Sequence, residues 1–457
     1  MIETIRSDFS PWEVFQSAAG AAGQAFFLDS IEHHPPDQSY SYLGFDPYLE
    51  LTLARGRVQV RGAKTLNRPA RDLFSVLRKL LREGGHAPAK NFFCGGAVGF
   101  FGYELAAEFE RFRFRPKPPP GTPDIYLGFY RDLIVYDHRL KRYHLIARQT
   151  PGRSAAEIRA ALADLKQKVR FLRPPVTGDF HLRGFRPEIR RPQFEAMVRR
   201  AKNYIAAGDI YQANLSQRFS FECGGPLLKL YGILRQINPS PFASFLKRGD
   251  LAVISSSPER LIRKRGRHCE TRPIAGTRPR RETGKSGRQT ERDLRANEKE
   301  RAEHLMLVDL ERNDLGRVCD FRSVKLEEFM KIERYSHVIH LVSKISGRLS
   351  RGRDALDLLR AVFPGGTITG CPKIRCMEII DELEPVRRGL YTGSLGYLDF
   401  NGDMDLNIVI RTLVVQQNRG HLQVGAGIVH DSNPRREYEE TLHKGEALMH
   451  ALAEAAK

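Results

Sequence analysis

Residues 192–219 read PQFEAMVRRAKNYIAAGDIYQANLSQRF, and two periods meet inside them. Over 192–207 the apolar residues Phe194, Met197, Val198, Ala201 and Ile205 recur at helical spacing. Gly208 then ends the run as a helix C-cap. From residue 210 the period drops to two. Ile210, Gln212, Asn214 and Ser216 fall on one face of a strand, and Tyr211, Ala213, Leu215 and Gln217 on the other. The first face is polar within an otherwise strand-like run. It reads either as an exposed sheet face or as the polar wall of a pocket.

Outward from this switch, the chain alternates between the same two periods. Upstream, strand-like pieces at 25–29, 48–53 and 58–60 precede an amphipathic helix at 70–83. The segment RPKPPPGTP at 115–123 reads as stiff and extended. Strand-like runs follow at 124–135 and 143–147, then a helix at 154–172. A second break, RPPVTG at 173–178, separates an N-terminal region, 1–172, from a C-terminal one, 190–452. Downstream of 219, strands and helices alternate irregularly as far as a C-terminal helix near 437–454. The mixture predicts an α+β fold with sheets large enough to form a layered core.

The chain has 457 residues with 74 Lys and Arg against 54 Asp and Glu, a net charge of +20. Such an excess favours anionic partners: nucleic acid, a small polycarboxylate or an acidic protein subunit. The basic residues are scattered, with local clusters at 111–117 and 278–292, and carry no RNA-binding or zinc-finger signature. Nucleic-acid binding is therefore the rival class and not the expectation. The six cysteines form no CxxC pair, which reads as reduced thiols in the cytoplasm. The N-terminus does not have the pattern of a signal peptide. The charge-free stretch at 91–103 falls well short of the ~20 residues that span a bilayer, so no membrane partner is expected.

Five stretches carry candidate chemistry. The polar strand face is the first. In the second, the apolar run 251–254 passes into Ser255-Ser-Ser-Pro-Glu259, placing an acid just past a buried strand, where a general acid/base often sits; Gly276 and Thr277 follow with a small residue and a hydroxyl. The third is a pair of Glu-x-x-Glu spacings, Glu300 with Glu303 and Glu437 with Glu440, each sharing a helix face, with Lys444 one turn after the second. Such acids are either a solvated face or, if the helices meet, oxygen ligands for Mg²⁺. The fourth is FPGGTITGCPK at 363–373, a loop entering a helix N-terminus that suits an anion, with Lys373 as a point charge. The fifth, Gly425-Ala426-Gly427, offers backbone amides after a strand. There is no Walker A sequence, and no Gly-x-Cys-x-Gly elbow of a built-in glutaminase.

In order and together, GDIYQANLSQRF, SPERL, TRPIAGTRPR, EHLMLVDLERNDLGRV, FPGGTITGCPKIRCMEIIDELEP, YTGSLGYLDFNGDMDLNIVIRT and VGAGIVHDSNPRREYEETLHKGEAL resemble the chorismate-utilising enzymes of the anthranilate synthase and aminodeoxychorismate synthase component I family. They cover most of 190–450. The resemblance implies a large layered β core flanked by helices. It also implies Mg²⁺-dependent amination of chorismate, with ammonia supplied by a separate glutamine amidotransferase subunit. By the same resemblance Glu259 is the acid/base beside the ring and His340 a catalytic histidine. Glu303 and Glu440 are the principal metal ligands, with Glu300 and Glu437 beside them. Gly276, Thr277, Tyr391, Arg411, Gly425 to Gly427 and Lys444 bind substrate. Gln212 stands where the related isochorismate synthases carry a lysine base, which favours ammonia over water as nucleophile. FPGGTITG, YTGSLGY and YQANLSQRF resemble the aminodeoxychorismate branch. Ala275 departs from it: that branch has a lysine there, and anthranilate synthases have the Pro-Ile-Ala-Gly-Thr form. The expected product is 4-amino-4-deoxychorismate, with anthranilate as the alternative.

Overall fold

The computed structural model describes residues 1–31, 39–85, 90–110, 112–117, 121–174, 177–279, 289, 291–292, 294, 298–334 and 338–457, with backbone alone at 275, 277–279, 298–300 and 338. These residues form two twelve-stranded sheets whose pairings are antiparallel. The α+β class and the layered core read from the sequence are therefore present.

The regions 1–172 and 190–452 do not take one sheet each. In the first sheet, five strands from the N-terminal region meet the C-terminal ones where Gln24–Asp29 pairs with Phe242–Arg248. In the second, the seam is Gly96–Phe101 against Ser394–Asp399. The expected run at 124–135 divides between the sheets: Ile125–Tyr130 belongs to the second and Asp132–Asp137 to the first. Arg131 makes the crossing, half-buried, with its guanidinium over the Tyr48 ring.

The sheets pack face to face through Phe26, Tyr42, Leu133 and Val135 of one and Val98, Tyr130 and Tyr397 of the other. Helices cover both outer faces. Pro11–Ala19, Ala155–Arg170, Leu227–Ile237 and Pro434–Ala455 bury apolar residues against the first sheet. Leu73–Glu83, Glu298–Gly316 and Ala355–Val362 do so on the second. The helix Ala155–Arg170 begins with a capping box: the Ser154 amide donates to Glu157 and the Glu157 amide to the Ser154 hydroxyl. Among the described residues no helix is long and apolar enough to cross a membrane.

The switch at 192–219 forms as read. A helix runs over Arg191–Ala206, Gly208 follows at a φ of +81°, and a strand covers Gln212–Gly224. Its polar face is not exposed. Gln212, Asn214 and Ser216 are buried, as are Ala213 and Leu215 opposite them. A strand covered on both sides is not an exposed sheet face, which leaves the pocket-wall reading.

Candidate active site

The strand Gln212–Gly224 pairs with Arg419–Ile428 so that Asn214 lies opposite Gly427 and Ser216 opposite Gly425. A Cβ at position 425 would come 2.5 Å from the Tyr391 hydroxyl and 2.8 Å from Asn214 Oδ1. At 427 it would come 2.5 Å from Gln212 Nε2. Bare backbone thus lets the Tyr391, Asn214 and Gln212 side chains lie across this strand. Among the described residues Gln212 Oε1 is buried without a hydrogen-bond partner. Ala426, between the glycines, points the other way, into the core with Leu215 and Ile380.

Glu259 follows the buried strand Leu251–Ser257 and is itself 6% exposed. Its Oε1 faces the Ile274 amide at 3.5 Å. Burial pushes its carboxyl up to about 7, opposed by the Thr367 hydroxyl, the Ile274 amide and the charges of Arg411 and Lys444. A carboxyl titrating near neutrality both gives and takes protons. Arg411 adopts a φ of +50°. Burial lowers its basicity and Glu259 opposes that effect. His340 is buried on Val338–Arg348, and burial with the Arg411 charge pushes its imidazole down to about 3, against a backbone hydrogen bond with Gly276. It is held neutral at physiological pH. The structure therefore brings Glu259, His340, Gly276, Arg411 and Lys444 into one neighbourhood. Thr277 is the cross-strand partner of His340; its side chain lies outside the described residues.

Lys444 donates to the Gly425 carbonyl at 3.1 Å and pairs with Glu440 at 2.7 Å, which ties the helix Pro434–Ala455 to the glycine strand. Glu437 is buried in the first turn of that helix, and Glu440 is exposed. Glu303 is partly buried on Glu298–Gly316, and the Glu300 side chain lies outside the described residues. Among the described residues no three His, Cys, Asp or Glu side chains stand close enough together to hold a metal ion. The donor chemistry of Glu303, Glu437 and Glu440 is nonetheless all carboxylate oxygen, which fits Mg²⁺ and not a soft metal. Lys373 opens the helix Lys373–Leu383, but its buried ammonium pairs with Asp314 and donates to the Val362 carbonyl. Its charge is met inside the wall.

Behind the glycine strand lies a network that sequence reasoning missed. Arg388 and Glu384 are both 2% exposed and form a two-pronged ion pair at 2.9 and 2.7 Å. Arg388 also donates to the carbonyls of Asn214 (2.6 Å) and Ile368 (3.0 Å) and to Thr392 (3.2 Å). Glu384 accepts from the amide and hydroxyl of Ser216. Opposite charges four apart read as a surface pair, so spacing alone does not reveal them. Thr367, within the FPGGTITG stretch, is a further group at the site, with its hydroxyl toward Glu259.

The chorismate binding enzyme family profile matches residues 25–450. The chain is 43% identical to aminodeoxychorismate synthase component 1 of Bacillus subtilis over 90% of this chain and 89% of that one. It is 41% identical to anthranilate synthase component 1 of Streptomyces coelicolor, over 99% and 89%. The crystal structure of anthranilate synthase component I from Streptococcus pneumoniae TIGR4 superposes with a TM-score of 0.81 at 36% identity, covering 90% of this chain and 92% of that one. The buried acid, the neutral histidine and the polar side chains lying across the glycine strand belong to a chain that is a member of the chorismate binding enzyme family and a chorismate-utilising enzyme.

Proposed function

We propose that this enzyme aminates chorismate to 4-amino-4-deoxychorismate, using ammonia from a separate glutamine amidotransferase subunit. The observation that carries the reading is the Glu259 carboxyl, buried beside Arg411 and Lys444 and poised near neutrality. Chorismate has two carboxylates. Arg411, Lys444 and the amides around Gly425 and Gly427 suit them. Net, a C–N bond forms, the C4–O bond breaks and the hydroxyl leaves as water. Glu259 delivers the proton that hydroxyl needs and recovers one from the incoming ammonia. His340, uncharged, donates or accepts a hydrogen bond without adding a second cation beside Arg411. Gln212 in the wall, in place of a lysine base, leaves water unactivated.

Mg²⁺ held by Glu303, Glu437 and Glu440, with Glu300, would supply Lewis acidity for departure of the hydroxyl. The likeness to component 1 proteins supports an amidotransferase partner, since no glutaminase motif occurs in this chain.

A second reading, anthranilate as product, is favoured by Ala275 and by the anthranilate synthase relatives. Alanine forms no covalent adduct with the ring. The deciding assay combines chorismate, ammonium and Mg²⁺, with and without an added aminodeoxychorismate lyase. 4-Amino-4-deoxychorismate should accumulate and yield p-aminobenzoate only with lyase. Anthranilate formed without lyase would overturn the assignment.

A further inference from the structure

A second buried acid, used by none of the steps above, lies within reach of the Glu259 charge. Glu311 lies on the helix Glu298–Gly316 and is 6% exposed. Its carboxylate oxygen accepts a hydrogen bond from the Thr271 hydroxyl. Thr271 ends the strand His268–Thr271, and the chain from it passes through Pro273 to Ile274, whose amide faces Glu259, and to Gly276, which meets His340. The Thr271 contact is therefore an anchor at the root of the segment that touches both groups.

We propose that Glu311 is a positioning residue for Glu259: through Thr271 it fixes the segment that presents the Ile274 amide to the Glu259 carboxyl. The kinetic consequence rests on the chorismate-amination reading; the anchor itself does not.

The charges around Glu311 add a second consequence. Asp314 on its own helix and Glu259 across the site disfavour its ionised form, while Lys373, from the neighbouring helix, and the Thr271 hydroxyl favour it. Burial outweighs the rest and holds the carboxyl up to about 8. Near neutrality Glu311 is thus an uncharged anchor. Above pH 8 it becomes an anion that opposes ionisation of Glu259.

Glu311→Gln keeps an acceptor for Thr271 and removes the titration. A carboxyl raised in the folded state contributes stability at low pH and loses it as pH climbs from its ordinary value, 4.5, through about 8. The Tm of Glu311→Gln relative to wild type should therefore rise between pH 5 and 8, by on the order of 2 °C. This measurement needs no substrate. In kinetics, log kcat/KM of the wild type should fall above pH 8 with two ionisations, and that of Glu311→Gln with one. Thr271→Val should lower kcat about tenfold with KM changed by less than about twofold, and Thr271→Ser, which keeps the hydroxyl, should restore it. A Tm difference that stays flat with pH, or a Thr271→Val enzyme with wild-type kcat, overturns the proposal. A wild-type protein that never turns over chorismate removes the functional reading instead, and the two failures are told apart by the substrate-free arm.

Discussion

The amide of Ile274 faces Oε1 of Glu259 at 3.5 Å, from the far side of a loop that leaves the neighbouring strand. One backbone N–H at that distance favours the carboxylate only weakly, so burial dominates and the group titrates near 7. Glu259→Gln removes the proton without changing the shape. It should lower kcat by about 10²–10⁴ with KM within a few-fold. In the wild type, activity that needs protonated Glu259 should decline as pH rises through about 7. A Glu259→Gln enzyme with wild-type kcat would remove Glu259 from the chemistry.

Gly425 and Gly427 face similar obstacles with different freedom to yield. A Cβ at 425 meets the Tyr391 hydroxyl, Asn214 Oδ1 and the Leu215 carbonyl, all within 2.8 Å, and the last is backbone. A Cβ at 427 meets the end of the flexible Gln212 side chain. Gly425→Ala should therefore be the worse change, by about 1–3 kcal/mol of overpacking, expressed as a higher KM for chorismate. Gly427→Ala should cost less and affect nucleophile placement through Gln212. Equal KM values for the two variants would refute the ranking. So would a higher KM for Gly427→Ala.

Much of this site is legible in the chain because its parts are local. The period change at Gly208, the acid after the strand Leu251–Ser257 and the helices read at 70–83 and 154–172 each depend on a few neighbouring residues. What is not legible depends on distant segments. The polar face of Gln212, Asn214 and Ser216 reads as surface or wall until the sheet shows it covered. Lys373 has the sequence context of an anion site, yet Asp314, 59 residues away, takes its charge. The twofold division at 172 and 190 marks real breaks in composition. It does not mark separate sheets, because strand pairing across the seams is set by matching apolar faces such as Phe26 and Leu246 and not by chain order.

Buried histidines, His304 and His340 among them, set an acid limit on stability. His304, with its Nε2 2.6 Å from the Ser343 hydroxyl, is pushed down to about 4 by burial, and His340 to about 3. In the unfolded chain both bind a proton near their ordinary value of 6.5. The unfolded state thus gains protons first, and stability falls as pH drops from about 6.5 toward 3 to 4. Tm should decline over that window. His304→Gln should decline less steeply than wild type, although it begins lower; parallel curves would show that His304 is not the group responsible.

The Arg388–Glu384 pair links stability to the site. Both partners are buried, so neutralising one leaves the other charged and unmatched, at about 3–5 kcal/mol. Glu384→Gln should therefore lower Tm sharply. It should also lower kcat, because the same carboxylate holds the Ser216 amide, and Arg388 holds the Asn214 carbonyl on the strand that carries the polar wall. Removing both charges should be milder than the sum of the single changes. The coupling energy from a double-mutant cycle should exceed about 1 kcal/mol, in both Tm-derived stability and kcat/KM. If the coupling appears in stability but not in kcat/KM, the pair holds the fold without orienting the wall. If it is absent from both, Arg388 is carried by its carbonyl acceptors, Asn214 and Ile368, and the ion pair contributes nothing of its own.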